Sequence, residues 1–198
     1  MNTSDEVLER VRAAGAIRPR DLEAQGLSRK HLQRLYEQGL LDRSGRGVYV
    51  PRDGDLSENQ SLVEASLRVP SGIVCLLSAL RFHDLTTQNP FEVWVALTPR
   101  ARRPHGGYPP LRIISMSGPA FTDGVKEHRV GGALVRVYNP AKTVADCFKY
   151  RNKIGLDVAL EALRDYRRKF RGGMDELWHF AAVDRVTRVL RPYLEATG

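Results

Sequence analysis

The sequence predicts an α+β protein: an N-terminal winged helix-turn-helix domain followed by a larger α+β domain with a mainly antiparallel sheet. Three observations carry that reading. Residues 1–50 hold short amphipathic stripes, each stopped by a glycine, and close on a hairpin signal. Pro51, Arg52, Asp53, Gly54 and Asp55 then cluster as a linker or exposed turn, which places the domains at 1–54 and 55–198. Beyond it, β-branched and aromatic runs alternate with longer helical patterns, the rhythm of a sheet with helices packed against it.

In the first domain, Ser4 is placed to cap a helix to about Ala14, with Asp5 and Glu6 in the first turn, where the helix dipole favours acids. Val7, Leu8, Val11 and Ala14 form its apolar stripe, and Gly15 ends it. Pro19 opens a helix of barely two turns that Gly26 stops. Ser28 caps a third helix through Gln38, with Gly39 after it; Leu32, Leu35 and Tyr36 face inward. Leu40–Arg43 and Val48–Val50 flank the turn Ser44-Gly45-Arg46-Gly47 as two short strands. Helix, short helix, turn, helix and hairpin, in that order, is the layout of a winged helix-turn-helix.

The charge supports a polyanionic partner. The chain has 198 residues, 31 basic against 23 acidic, for a net +8 and a pI near 9.8. Its 42% apolar and 27% charged residues are ordinary globular composition. Residues 18–52 hold eight basic against four acidic side chains, although 1–55 as a whole holds ten against nine. The third helix therefore offers Ser28, Arg29, Lys30, Gln33 and Arg34 as a DNA-reading face, and the hairpin offers Arg43 and Arg46 as a wing on flanking backbone. The competing reading is a small helical platform for a protein partner, its arginines merely solvated.

In the second domain, the pattern predicts helices from Ser57 to Val69 and from Ile73 to Phe82, then strands at Phe91–Leu97, Leu111–Ile114, Val125–Val130 and Ala133–Tyr138. Arg102 to Pro110 reads as a mobile loop. Asn139 caps a helix with Pro140 at its first position, and three more helices follow.

Several segments together resemble the AbiEi family, the antitoxins of type IV toxin–antitoxin systems: "GRGVYVP" closing the winged segment, "LLSALRFHDL", "FEVWVAL" and above all "VYNPAKTVADCFKYRNKIGLDVALEALRDY". The likeness extends over nearly the whole chain, with "NPAKTVADCFKYRNKIG" its most distinctive part. It implies a two-domain DNA-binding antitoxin associated with phage resistance. Such a protein represses its own operon at promoter inverted repeats and counteracts a nucleotidyltransferase-like toxin encoded beside it. Repression is attached to the N-terminal domain and antitoxicity to the C-terminal one. A stand-alone winged-helix regulator is the alternative.

Residues 56–198 hold 21 basic against 14 acidic side chains, densest at Arg164, Arg167, Arg168, Lys169 and Arg171. That cluster is either a solvated helix end favoured by the dipole, a second polyanion surface, or a toxin contact. Lys142 and Asp146, four apart, make an i,i+4 ion pair a better reading than a catalytic pair.

Nothing in the motifs calls for an enzyme, a metal or a cofactor. His31, His83, His105, His128 and His179 show no ligand spacing, and no GxSxG, Walker loop or GxGxxG is present. A metal-dependent nuclease built on Glu92, Lys126 and Glu127 would need an acidic pair at short strand spacing, which is missing. Cys147 sits among apolar neighbours without a base. Two lone cysteines, no apolar run near eighteen residues and an acidic start without an h-region predict a cytoplasmic protein with no membrane partner. The absence of heptads predicts a monomer in solution.

Overall fold

A computed structural model describes residues 3–44, 47–52, 59–104, 106–130 and 133–196. The chain divides into two compact units. The first comprises Met1–Gly72, Arg102–Leu111 and Glu127–Val135; the second comprises Ile73–Ala101, Arg112–Lys126 and Arg136–Gly198. The expected boundary at 54/55 falls outside the described residues, and the first unit reaches further along the chain than residue 54.

The first unit opens with α1 (Thr3–Ala14), α2 (Pro19–Glu23) and α3 (Lys30–Glu37), followed by the hairpin β1 (Leu41–Arg43) and β2 (Tyr49–Pro51) and by α4 (Gln60–Arg68). Val7, Leu8, Val11, Ile17, Leu22, Leu32, Leu35, Leu41 and Tyr49 form its core. Each fully buried leucine there contributes about 1.5–3 kcal/mol relative to exposure. Gly15, Gly26 and Gly39 stand at φ of 71°, 79° and 73°, left-handed positions that end each helix at little steric cost. Ile17 forms a reciprocal pair of backbone hydrogen bonds with Tyr49 (2.9 Å each), adding a third short extended segment to the hairpin.

Two details depart from the expected pattern. Ser4 lies inside α1, whose regular helix begins at Thr3; it is buried, with its hydroxyl 3.2 Å from His31 Nδ1, so it ties α1 to α3. Tyr36 is 38% exposed, since its ring stands edge-on to Tyr49 at 6.4 Å and does not enter the core.

α4 belongs to this unit because its polar side chains are used there. Gln60 donates to the Gly15 carbonyl (2.7 Å), and Arg18 donates to the Leu67 carbonyl (3.0 Å). Glu64, only 3% exposed, accepts from the Ser44 hydroxyl and from Gln60 (3.2 Å). Burial pushes the Glu64 carboxyl above its ordinary value of 4.5, against the opposing pull of Gln60 and Arg68. Above that ordinary value the unfolded chain loses a proton that the folded one keeps, so this group lowers stability as pH rises through its raised pKa. Glu64→Gln removes that decline. Urea midpoints of variant and wild type should diverge in the variant's favour between pH 4 and pH 7; an unchanged difference would contradict it.

The rest of the chain, which holds the second unit, contributes β3 (Ile73–Val74), α5 (Leu76–Phe82), β4 (Val93–Leu97), β5 (Leu111–Ser115), α6 (Pro119–Thr122), β6 (Val125–Val130), β7 (Ala133–Tyr138), α7 (Pro140–Lys149), α8 (Arg151–Ile154), α9 (Leu156–Lys169), α10 (Met174–Val183) and α11 (Thr187–Ala196). The five-stranded sheet has the order β5-β4-β3-β7-β6. β3 pairs antiparallel with β4 but parallel with β7, so the sheet is mixed. The single helix expected over Ile73–Phe82 is instead a strand followed by a helix. Cys75 is extended and Leu76 takes a φ of 47°, which breaks any continuous helix at that point.

α7 is the buried centre of this unit. Every residue from Ala141 to Phe148 is buried, packed among Leu80, Tyr138, Leu163, Tyr166 and Leu177. Asn139 caps it as expected: its side-chain oxygen accepts from the Lys142 amide at 2.8 Å, and its amide group donates to Glu176 at 2.9 Å. Both thiols, Cys75 and Cys147, are fully buried, and burial pushes their pKa well up. No helix of the described residues is long and apolar enough to cross a membrane.

Candidate nucleic-acid interface

α3 is amphipathic over only two turns, and that suffices to aim its polar face. Leu32 and Leu35 are buried, which leaves Lys30, Gln33, Arg34 and Glu37 together on the exposed side. Ser28 accepts from the Lys30 amide (3.3 Å), while Arg29 holds the cap position that was expected of Ser28, and no side chain caps the helix from there. His31 anchors the start of the helix on Ser4, and Arg10 of α1 reaches Gln25 in the preceding turn at 3.0 Å.

The predicted reading face is thus brought together, but its members differ in how freely they present themselves. Arg29, exposed, has Nε 3.5 Å from Glu23. Gln33 is committed at both ends: its amide nitrogen donates to Glu37 (2.7 Å) and its oxygen accepts from Arg43 (2.5 Å). Lys30 and Arg34 are exposed, and no salt bridge involves either among the described residues.

Arg43 does something the sequence did not indicate. Its guanidinium lies 4.8 Å from the Tyr36 ring centroid and 5.1 Å from that of Tyr49, and also donates to the Tyr49 hydroxyl at 2.8 Å. It clamps the hairpin to α3. The arrangement follows from register, because Arg43 pairs directly with Tyr49 across the hairpin. Arg46, the other wing residue, lies outside the described residues.

The C-terminal basic cluster is only partly free surface. Lys169 donates to the carbonyls of His83 (3.3 Å) and Asp84 (2.6 Å), closing the exposed C-terminal end of α5, where a cation is favoured. Arg168 pairs with Asp165 at 2.9 Å. Arg164 and Arg171 are exposed and Arg167 is half-buried on the same stretch.

Lys142 and Asp146 are both fully buried and ion-paired, with Asp184 3.3 Å from the lysine nitrogen and Lys149 3.3 Å from Asp184. Glu92, considered for metal chemistry, is paired with Arg112 at 2.6 Å. Among the described residues no three His, Cys, Asp or Glu side chains gather as metal ligands.

Sequence reasoning did not single out Arg18, Arg20 and Arg68. With Arg29, Arg102 and Arg103 they line one cavity of the first unit. The density of arginine at 18–20 and 100–103 was a visible signal; their convergence was not, because it depends on the Arg102–Leu111 segment rejoining the first unit.

Residues 5–52 match the family model described as transcriptional regulator, AbiEi antitoxin, a segment that spans α1 through the wing. The remainder, including the Asn139–Gly155 stretch that carried the most distinctive likeness, lies outside the match. A search of curated proteins finds no match to the chain. Over residues 5–52, then, this chain is similar to a family of transcriptional regulators described as AbiEi antitoxins.

Proposed function

We propose that the protein is a DNA-binding repressor and the antitoxin of a type IV toxin–antitoxin pair, binding inverted repeats in its own promoter. The observation that supports this best is the exposed Lys30–Arg34 face of α3, braced by the Arg43 clamp to a two-stranded wing, in a segment similar to the AbiEi antitoxin regulator family. α3 enters the major groove, Lys30 and Arg34 reach base edges or phosphates, and Ser28 and Arg29 sit on backbone at the helix start. The partner in antitoxicity is a nucleotidyltransferase-like toxin, with the second unit carrying that role.

The test has two arms. A duplex of the operon's own promoter should bind the purified chain far more tightly than a scrambled duplex of equal length. Co-expression should restore growth to cells producing the toxin. Equal affinity for both duplexes would remove the repressor reading, and failure to rescue would remove the antitoxin one.

A further inference from the structure

A concavity lies wholly within the second unit, between the end of α9 and the start of α10. Pro140, Tyr166, Phe170, Arg171, Gly173 and Glu176 are among the residues lining a space of about 310 Å³, at the small end of the roughly 300–1,000 Å³ of ligand pockets. Phe170 stacks on the buried Tyr166 ring, with centroids 5.1 Å apart and planes at 27°. Its side chain is nevertheless 37% exposed, so the pocket keeps an open aromatic surface. The stack is fixed in place: the Tyr166 hydroxyl donates to the Gly173 carbonyl at 2.7 Å, and a side chain on Gly173 would collide with that hydroxyl.

Two opposite charges line the same space. Glu176 Oε1 accepts from the buried Asn139 amide at 2.9 Å, which holds the carboxylate and leaves Oε2 with no hydrogen bond among the described residues. Arg171 is exposed and makes no ion pair among the described residues. A bare anion would be repelled here by Glu176, and an amine by Arg171. A neutral planar ring with N–H donors on one edge and a phosphate on its sugar suits all three side chains. Of the four common bases, guanine alone presents two adjacent donors, N1–H and N2–H, to the two oxygens of a carboxylate. Adenine, cytosine and uracil set an acceptor beside the donor, which a carboxylate repels.

We propose that this pocket binds a guanine nucleotide, free or as an unpaired residue of a single strand. Phe170 stacks on the base, Glu176 accepts from its Watson–Crick edge and Arg171 meets the phosphate. No residue of the α3 face takes part, so the site stands or falls independently of promoter binding.

Calorimetric titration of the full chain with GMP, IMP and AMP tests it. Wild type should bind GMP with a Kd below about 1 mM, and AMP about tenfold more weakly or worse. IMP, which lacks the 2-amino donor, should fall between them. Glu176→Gln keeps an acceptor for Asn139 and should weaken GMP about tenfold while leaving AMP unchanged. Phe170→Leu should weaken all three nucleotides about fivefold or more. A uridine tract carrying one guanine separates the sources. Affinity above that of an all-uridine tract identifies a single strand as the source; affinity equal to it identifies the free nucleotide. Absent GMP binding, equal affinity for GMP and AMP, or GMP binding indifferent to Glu176→Gln would overturn the proposal. The comparison of GMP with AMP needs no variant, so it decides the matter even if Phe170→Leu fails to fold.

Discussion

Lys142→Met should destabilise the protein by about 3–5 kcal/mol, a large part of the roughly 5–15 kcal/mol that holds a typical domain folded. The lysine is wholly buried, with its ammonium against Asp146, 3.3 Å from Asp184 and 4.8 Å from the Tyr138 ring centroid. Removing it leaves two desolvated carboxylates facing each other, with only the half-buried Lys149 to answer Asp184. Burial already raises the Asp146 carboxyl well above its ordinary range; Lys142 is the chief influence holding it down, and Asp184 raises it further. The variant should therefore keep Asp146 protonated to higher pH. Its stability should fall more steeply than wild type's as pH rises above the carboxylate range, because the unfolded chain releases a proton that the folded one retains. Urea denaturation at pH 5 and pH 8 measures both effects. Lys142→Met/Asp146→Leu should recover part of the loss, since a well-packed apolar pair often matches a buried ion pair. A loss under about 1 kcal/mol in the single variant would show that the network is not a structural keystone.

That network also shows what a sequence discloses and what it hides. Spacing alone makes Lys142 and Asp146 partners, because residues four apart share a helix face. Spacing cannot show that the pair is buried on all sides, or that Asp184, forty-two residues from Lys142, completes it. The same division runs through the fold. The caps and stops at Gly15, Gly26, Gly39 and Asn139 are local chemistry and are readable from the chain. The strand at Ile73–Val74 exists only because β4 and β7 flank it, so its apolar residues pass for the start of a helix. At the candidate interface, the exposed positions of α3 follow from its period. The bonds that commit Gln33 and Arg43 arise from hairpin register and from two tyrosines, one of which was expected in the core.

Those commitments single out Arg34 for the largest effect on DNA affinity. Arg29 has Glu23 beside it, and Gln33 is already bonded to Glu37 and Arg43, so each must give up a partner before meeting a base. Arg34 lies on the same exposed face, with no ion pair among the described residues, and its fork can engage guanine bidentately or clasp a phosphate. Arg34→Ala should therefore weaken promoter binding by about 1–3 kcal/mol, roughly five- to 150-fold, while leaving thermal stability unchanged. Titrating promoter and scrambled duplexes at two salt concentrations separates the two modes. If Arg34 reads a base, affinity falls on the promoter alone, the ratio between duplexes shrinks and the salt slope holds. If it grips a phosphate, both affinities fall together and the slope loses about one ion. Arg43→Ala should behave differently from either, because the Arg43 guanidinium joins α3 to the hairpin. Promoter affinity should drop with a lowered melting temperature as Tyr36 and Tyr49 lose the cation between them. Unchanged promoter binding by Arg34→Ala would mean that α3 does not present this face to DNA.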